Sequence, residues 1–216
     1  MKRQLVGILG GTFDPIHLGH TWVASQLLSL GLLEEILFVP CHTPVHKNQS
    51  IASPMHRETM LKLAIDDMPN TALCRYELEQ EKPVYMHNTM AHIASDAICP
   101  VLIVGTDVWQ TFHRWKHPES ILEAGHILVI NRPDYPWPPT MPQNIFSETA
   151  ISHDGKTLKQ RANGSICLQK LDFPSAFYDN FSSSSLRQQL SCNQLPTSRI
   201  NPQVLEYCLK HQLYRK

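Results

Sequence analysis

Gly10-Gly11-Thr12-Phe13-Asp14-Pro15-Ile16-His17-Leu18-Gly19-His20 follows an apolar run, Leu5 to Leu9, and leads into a helical pattern that starts near Thr21. A buried strand that passes at once into a helix makes this stretch a strand-to-helix turn. Such turns aim backbone N–H groups and a helix N-terminus at anionic ligands. Gly10 and Gly11 let the backbone approach a phosphate closely and tolerate positive φ. His17 and His20 flank the start of the helix and read as paired cationic donors. Together these features point to phosphate chemistry. Three plainer readings compete: surface turn histidines, His20 as a helix cap, and a metal pair with His42 or His46. No carboxylate pair at a recognisable metal spacing accompanies the histidines, which counts against the last.

Outward from the turn, apolar runs alternate with amphipathic stretches. Strands are expected at Leu5–Leu9, Glu35–Val39, Ala72–Tyr76, Val101–Val104, Ile127–Ile130 and Ile166–Leu171. Helices are expected at Trp22–Leu30, closed by Gly31, and after Ser53-Pro54, a good N-cap and N1 pair. Further helices are expected at Asn88–Ala97, at Pro118–Ala124 closed by Gly125, from the serines at 182–185 to about Leu190, and at Pro202–Lys210. This alternation predicts an α/β fold with a parallel sheet and right-handed crossovers. Gly10 and Gly105 then fall at strand carboxyl ends, where open α/β sheets bind ligands. The pattern breaks over 133–165, which holds Pro136-Trp137-Pro138-Pro139 and few periodic apolar positions. It reads as a surface excursion within a single domain spanning 1–216, followed by a small C-terminal helical part, 182–216.

The chain has 216 residues, enough for one α/β domain, with 19 Lys plus Arg against 19 Asp plus Glu. That balance does not ask for nucleic acid as a partner. No apolar run reaches the length of a membrane span, and no signal pattern follows Met1, so a cytoplasmic protein is expected. Six scattered cysteines without a Cys-x-x-Cys fit a reducing compartment, with Cys74 and Cys99 as buried thiols.

The glycine pair, Phe13-Asp14-Pro15 and His17-Leu18-Gly19-His20 resemble the signature of the nucleotidyltransferase superfamily. Val39-Pro40, Pro44-Val45-His46-Lys47, Gly105-Thr106-Asp107 with Trp115, Asn131-Arg132-Pro133, Ser182 to Arg187, and Val204, Tyr207 and Leu213-Tyr214 follow in order. In that order and spacing they resemble the bacterial nicotinate-mononucleotide adenylyltransferases over nearly the whole chain. The resemblance implies a Rossmann-like, doubly wound parallel sheet of the HxGH nucleotidyltransferase type. It implies transfer of AMP from ATP to nicotinate mononucleotide, giving nicotinate adenine dinucleotide and pyrophosphate in NAD biosynthesis.

The resemblance assigns His17, His20 and Arg187 to catalysis at the phosphates. Gly10, Gly11, Thr12, Phe13, Gly105, Asp107, Ser183 and Ser184 are assigned to ATP, with Gly105 and Asp107 at its ribose. Asp107 as a plain helix cap is the alternative. His46, Lys47, Tyr85, Met86 and Trp115 are assigned to the mononucleotide. Mg²⁺ is expected to arrive with ATP, and no dedicated protein cage for it is visible. His56 and Arg57 read as ordinary surface residues of a helix, with Arg57 able to support the phosphate end. The chain departs from the family at Cys41, usually Asn, at Val45, usually Pro, and at Met86, often Thr. All three fall at the acceptor end. Two alternatives therefore stand: an adenylyltransferase of the same fold acting on nicotinamide mononucleotide, and a silent nucleotide-binding regulatory protein.

Overall fold

The computed structural model describes residues 3–42, 52–133, 135–140, 150–152, 164–177 and 182–215. His46 and Lys47 lie outside these residues. The strands are β1 Gln4–Gly11, β2 Glu35–Pro40, β3 Thr71–Leu73, β4 Ile98–Gly105, β5 His126–Ile130, β6 Ala150–Ser152 and β7 Ser165–Gln169. The helices are α1 Leu18–Ser29, α2 Pro54–Ile65, α3 Met86–Ile93, α4 Thr106–Trp109, α5 Pro118–Ala124, α6 Ser183–Ser191 and α7 Pro202–Lys210. The strands form one parallel sheet in the order β3-β2-β1-β4-β5-β7-β6. Among the described residues no helix is long and apolar enough to cross a membrane.

The central strands are apolar on both faces, as a covered parallel sheet requires. Cys99, Val101 and Ile103 of β4 enter one core with Val23 and Leu27 of α1, Met60 and Leu61 of α2, and Val204 and Cys208 of α7. Leu102 and Val104 enter the other with Met90 of α3, Trp109 of α4 and Ile121 of α5. The strand order reverses between β1 and β4. The carboxyl ends of these neighbours, Gly10-Gly11 and Gly105, therefore flank the crevice in which doubly wound sheets take ligands.

The expected elements are found, with shifted ends that have local causes. The first helix begins at Leu18, not Trp22, because His17 is its N-cap and His20 its third residue. The third helix likewise begins at Met86, with Tyr85 as N-cap, and stops at Ile93. β3 ends at Leu73, opposite Phe38 near the end of β2. β4 runs from Ile98 through Pro100, ahead of the expected start at Val101. Its neighbour β5 begins only at His126, opposite Val101, so the missing N–H of Pro100 has an open flank. Within 133–165, Ala150–Ser152 adds an edge strand beside β7 that its shortness hid. Gly31 follows α1 at φ +63°, and Ser53 Oγ accepts from the His56 N–H, as the sequence implies. Cys99 is buried, whereas Cys74 is only half-buried.

Candidate active site

A cavity of about 680 Å³ opens over the carboxyl ends of β1, β2 and β4. Its wall contains Gly10, Gly11, Thr12, His20, Gly105 and Asp107 from the expected nucleotide set, and Tyr85, Met86 and Trp115 from the expected acceptor set. Residues from four separate segments thus share one space.

The glycine turn is held from behind. Arg57, fully buried, donates from Nη1 to the carbonyls of Thr12 (2.8 Å) and Cys41 (2.7 Å), and from Nη2 to that of His42 (2.7 Å). It ties the end of β1 to the end of β2, so its surface assignment is corrected. Charge-assisted bonds to three carbonyls replace water at its two terminal nitrogens, while the buried Nε has no hydrogen-bond partner among the described residues. Asp14 Oδ1 accepts from the Ala52 N–H (3.1 Å) and the Tyr214 hydroxyl (2.7 Å), so the far C-terminus also braces the turn. Burial and the Asp14 carboxylate push the Tyr214 phenol up, which keeps it a neutral donor.

His17 and His20 stack with ring centroids 3.7 Å apart. His20 Nδ1 accepts from the His17 backbone N–H at 3.2 Å. A neutral His20 therefore carries its proton on Nε2. The capping reading of His20 and its place on the cavity wall hold together. His17 is buried at 4 % exposure, and burial, then the proximity of His20 and Arg132, hold its pKa well below the usual histidine value. His17 is thus neutral near pH 7, which corrects the expectation of two cationic donors. It offers an imidazole dipole rather than a charge. Phe13, in a left-handed backbone conformation (φ 51°), packs edge-on to His20 at 5.1 Å.

Arg187 meets the turn without lining the cavity. Its Nη1 donates to the Asp14 carbonyl (2.7 Å) and its Nη2 to Ser184 Oγ (3.1 Å). Ser183 Oγ donates to the Pro15 carbonyl (2.9 Å), and Ser182 caps the helix. Helix α6 is therefore joined to the glycine turn by direct bonds.

At the other strand end, Gly105 and not Asp107 is the N-cap of α4. A Cβ at Gly105 would collide with the Asp107 carboxylate and press on Arg132 Cγ at 3.0 Å, so a side chain there would displace both. Arg132 Nε lies 3.6 Å from Asp107 Oδ1, and the Arg132 N–H donates to Thr106 Oγ1 (3.0 Å). Asn131 exchanges two bonds with the backbone of Leu171, at 3.0 and 2.6 Å, fixing β5 to the segment after β7. Arg132 itself lines the cavity; in sequence it belongs to the quoted Asn131-Arg132-Pro133, with no site role assigned to it. Its place after the carboxyl end of β5 was the available signal.

The wall that holds the expected acceptor residues is aromatic and mixed. Trp109, Phe112 and Trp115 form a ladder, at 5.3 and 5.1 Å between successive centroids, that sets Trp115 between core and cavity. The Met86 side chain lies over Gly10, where a Cβ would approach its Cε at 2.7 Å. Lys116 Nζ sits 4.5 Å from the centre of the Tyr85 ring. Cys41 Sγ points to Thr12 Oγ1 at 3.9 Å, and burial raises its pKa, so it is a thiol. Glu77, also missed from sequence, is buried in this wall.

A glycine turn, stacked imidazoles and the Asp107 carboxylate meet at the switch point of a parallel sheet, the arrangement of a nucleotidyltransferase. The Cytidylyltransferase-like family model matches residues 8–189. The nicotinate-nucleotide adenylyltransferase of Escherichia coli O6:H1 is 30% identical over 217 residues, covering 99% of this chain and 100% of the relative. A Hydrogenovibrio crunogenus protein named as the same enzyme is 34% identical, covering 99% of each chain. The solved Plasmodium falciparum nicotinic acid mononucleotide adenylyltransferase, complexed with NaAD, shares the fold at a TM-score of 0.73 and 20% identity, covering 98% of each chain. The chain belongs to the Cytidylyltransferase-like family and, within it, to the nicotinate-nucleotide adenylyltransferases.

Proposed function

We propose that the protein transfers the adenylyl group of ATP to the 5′-phosphate of nicotinate mononucleotide. The acceptor phosphate oxygen attacks the α-phosphorus, the bond to the β-phosphate bridging oxygen breaks, and pyrophosphate leaves. The acceptor is already an anion near neutral pH, so no general base is needed. Catalysis reduces to holding two anions together and stabilising charge as it develops. Orientation contributes roughly 7–11 kcal/mol in such cases, and one aimed donor about 3–4 kcal/mol.

The observation that carries the reading is the single cavity bounded by Gly10-Gly11, His20, Asp107 and Trp115. In it, turn amides and His20 Nε2–H face the α-phosphate, with His17 behind. Asp107 takes the ribose hydroxyls, and Trp115 stacks on the pyridine ring. Arg187, with Ser183 and Ser184, holds the outer phosphates by exchanging its bond to the Asp14 carbonyl for phosphate oxygens. His46 and Lys47 meet the mononucleotide phosphate. Mg²⁺ enters as part of the ATP substrate, ligated by the triphosphate. The partners are thus two small molecules and not nucleic acid, and the protein acts in the cytoplasm as one domain.

Pyrophosphate release tests this directly. ATP with nicotinate mononucleotide is expected to release pyrophosphate with a much higher kcat/KM than ATP with nicotinamide mononucleotide. Turnover confined to the nicotinamide acceptor would replace the substrate. No turnover with either, while ATP still binds, would favour a silent regulatory protein.

A further inference from the structure

Glu77 is a buried acid in the cavity wall, where the other charged side chains, Asp107, Arg114, Lys116 and Arg132, are not buried. Its exposure is 5 %, and it stands in the turn after β3. Oε1 accepts from the hydroxyl of Thr89, itself fully buried in α3, at 2.7 Å. Among the described residues nothing else bonds to the carboxylate, and no cation pairs with it. The second oxygen is not shut away in the protein as an orphan, and the residue forms part of the cavity wall with Cys41, Val84, Tyr85, Met86 and Trp115. Arg57, itself buried, is already bonded to three carbonyls.

A carboxylate removed from water without a partner is costly, and proteins keep such a group where a ligand supplies the missing charge. The acceptor proposed above carries that charge. The ring nitrogen of an N-ribosyl pyridinium is a permanent cation that no pH change removes. Its flat face suits an aromatic wall, because ring quadrupoles attract cations. We propose that Glu77, oriented by Thr89, is the counter-ion for the pyridinium of the acceptor. Glu77 thereby selects mononucleotides with a cationic ring over those with a neutral one. The ring carboxylate is served by the cations of the same wall, Arg114 and Lys116, which are exposed and have no carboxylate partner among the described residues. Burial raises the Glu77 pKa in the free protein, consistent with a carboxylate awaiting a positive partner.

The inference rests on the pyridine-mononucleotide reading of the cavity. Its test compares binding of nicotinate mononucleotide with binding of its 1,4-dihydropyridine form, which has the same substituents and a neutral ring. Both are measured by calorimetry on wild type, Glu77→Gln and Thr89→Val. Wild type is expected to prefer the cationic ring at least tenfold. Glu77→Gln is expected to reduce that preference to within about twofold, and Thr89→Val to reduce it partly, with ATP affinity unchanged in both. Equal weakening of both ligands in Glu77→Gln means a packing or ribose-hydroxyl role and overturns the proposal. An undiminished preference overturns it as well. If neither form binds wild type, the acceptor reading falls instead. Should Glu77→Gln fail to fold, an undiminished preference in Thr89→Val decides against the proposal and a reduced one supports it.

Discussion

The nucleotide end and the acceptor end of the cavity are built in opposite ways. At the nucleotide end, polar groups are fixed by bonds to the chain itself. Arg57 holds three carbonyls, Tyr214 holds Asp14, and Arg187 and Ser183 hold the backbone at 14–15. At the end that holds Tyr85 and Trp115, side chains mostly lie beside one another, Met86 over Gly10, Lys116 over Tyr85 and Cys41 near Thr12, and the Thr89–Glu77 bond is a polar tie among them. A phosphate is the same in every nucleotide, so its site gains from preorganisation. Under the proposed function the acceptor is recognised by its ring and substituent, so that wall can change identity without loosening the turn. Two departures from the family, Cys41 and Met86, line it, and the third, Val45, lies outside the described residues.

If the turn depends on its bracing, removing the brace has the largest effect. Arg57→Ala strands three carbonyls and leaves a void, so it is expected to cost about 3–5 kcal/mol in urea unfolding. A loss below about 1 kcal/mol would show that the turn holds itself. Asp107→Ala comes next. It removes the proposed ribose ligand and frees Arg132, and the KM for ATP is expected to rise roughly tenfold, worth about 1.4 kcal/mol, with the acceptor KM unchanged. Equal rises in both constants would mean that the two ends are coupled, contrary to the division drawn here. Met86→Thr tests the other side. A shift of about twofold to fivefold in acceptor KM is expected, with ATP untouched; a change in ATP KM alone would reverse the assignment of that wall.

The smallest effect is in stability against pH. The pKa of His17 is lower folded than unfolded, because burial disfavours its charged form. Below the unfolded value the unfolded chain binds more protons, so His17 draws stability down as pH falls through about 6.5 and below. Above that range its contribution is constant. His17→Asn is expected to flatten this part of the profile in denaturant melts at several pH values. An unchanged slope would mean that His17 is not the group responsible.

The fold was legible because its signals are local. Continuous apolar runs such as Val101–Val104 mark covered parallel strands, and glycines at strand ends mark the ligand crevice. The motif residues at 10–20 carried the phosphate reading by type and spacing alone. Features made by distant partners were hidden. Arg57 looks like any helix arginine until the ends of β1 and β2 bring three carbonyls to it. His17 looks cationic until its burial is known. Glu77 lies in a charged stretch, Glu77-Leu78-Glu79-Gln80-Glu81-Lys82, and only packing against Thr89 separates it from its solvated neighbours. The edge strand Ala150–Ser152 is too short to show periodicity in sequence.

The most direct measurement is the effect of His17→Ala on rate set beside its effect on ATP affinity. If the braced turn acts on charge that develops during transfer, kcat falls by about 10²–10³-fold while the ATP Kd, from equilibrium titration, changes less than about threefold. Parallel losses in kcat and affinity, or a kcat within about threefold of wild type, would contradict a transition-state role for the turn.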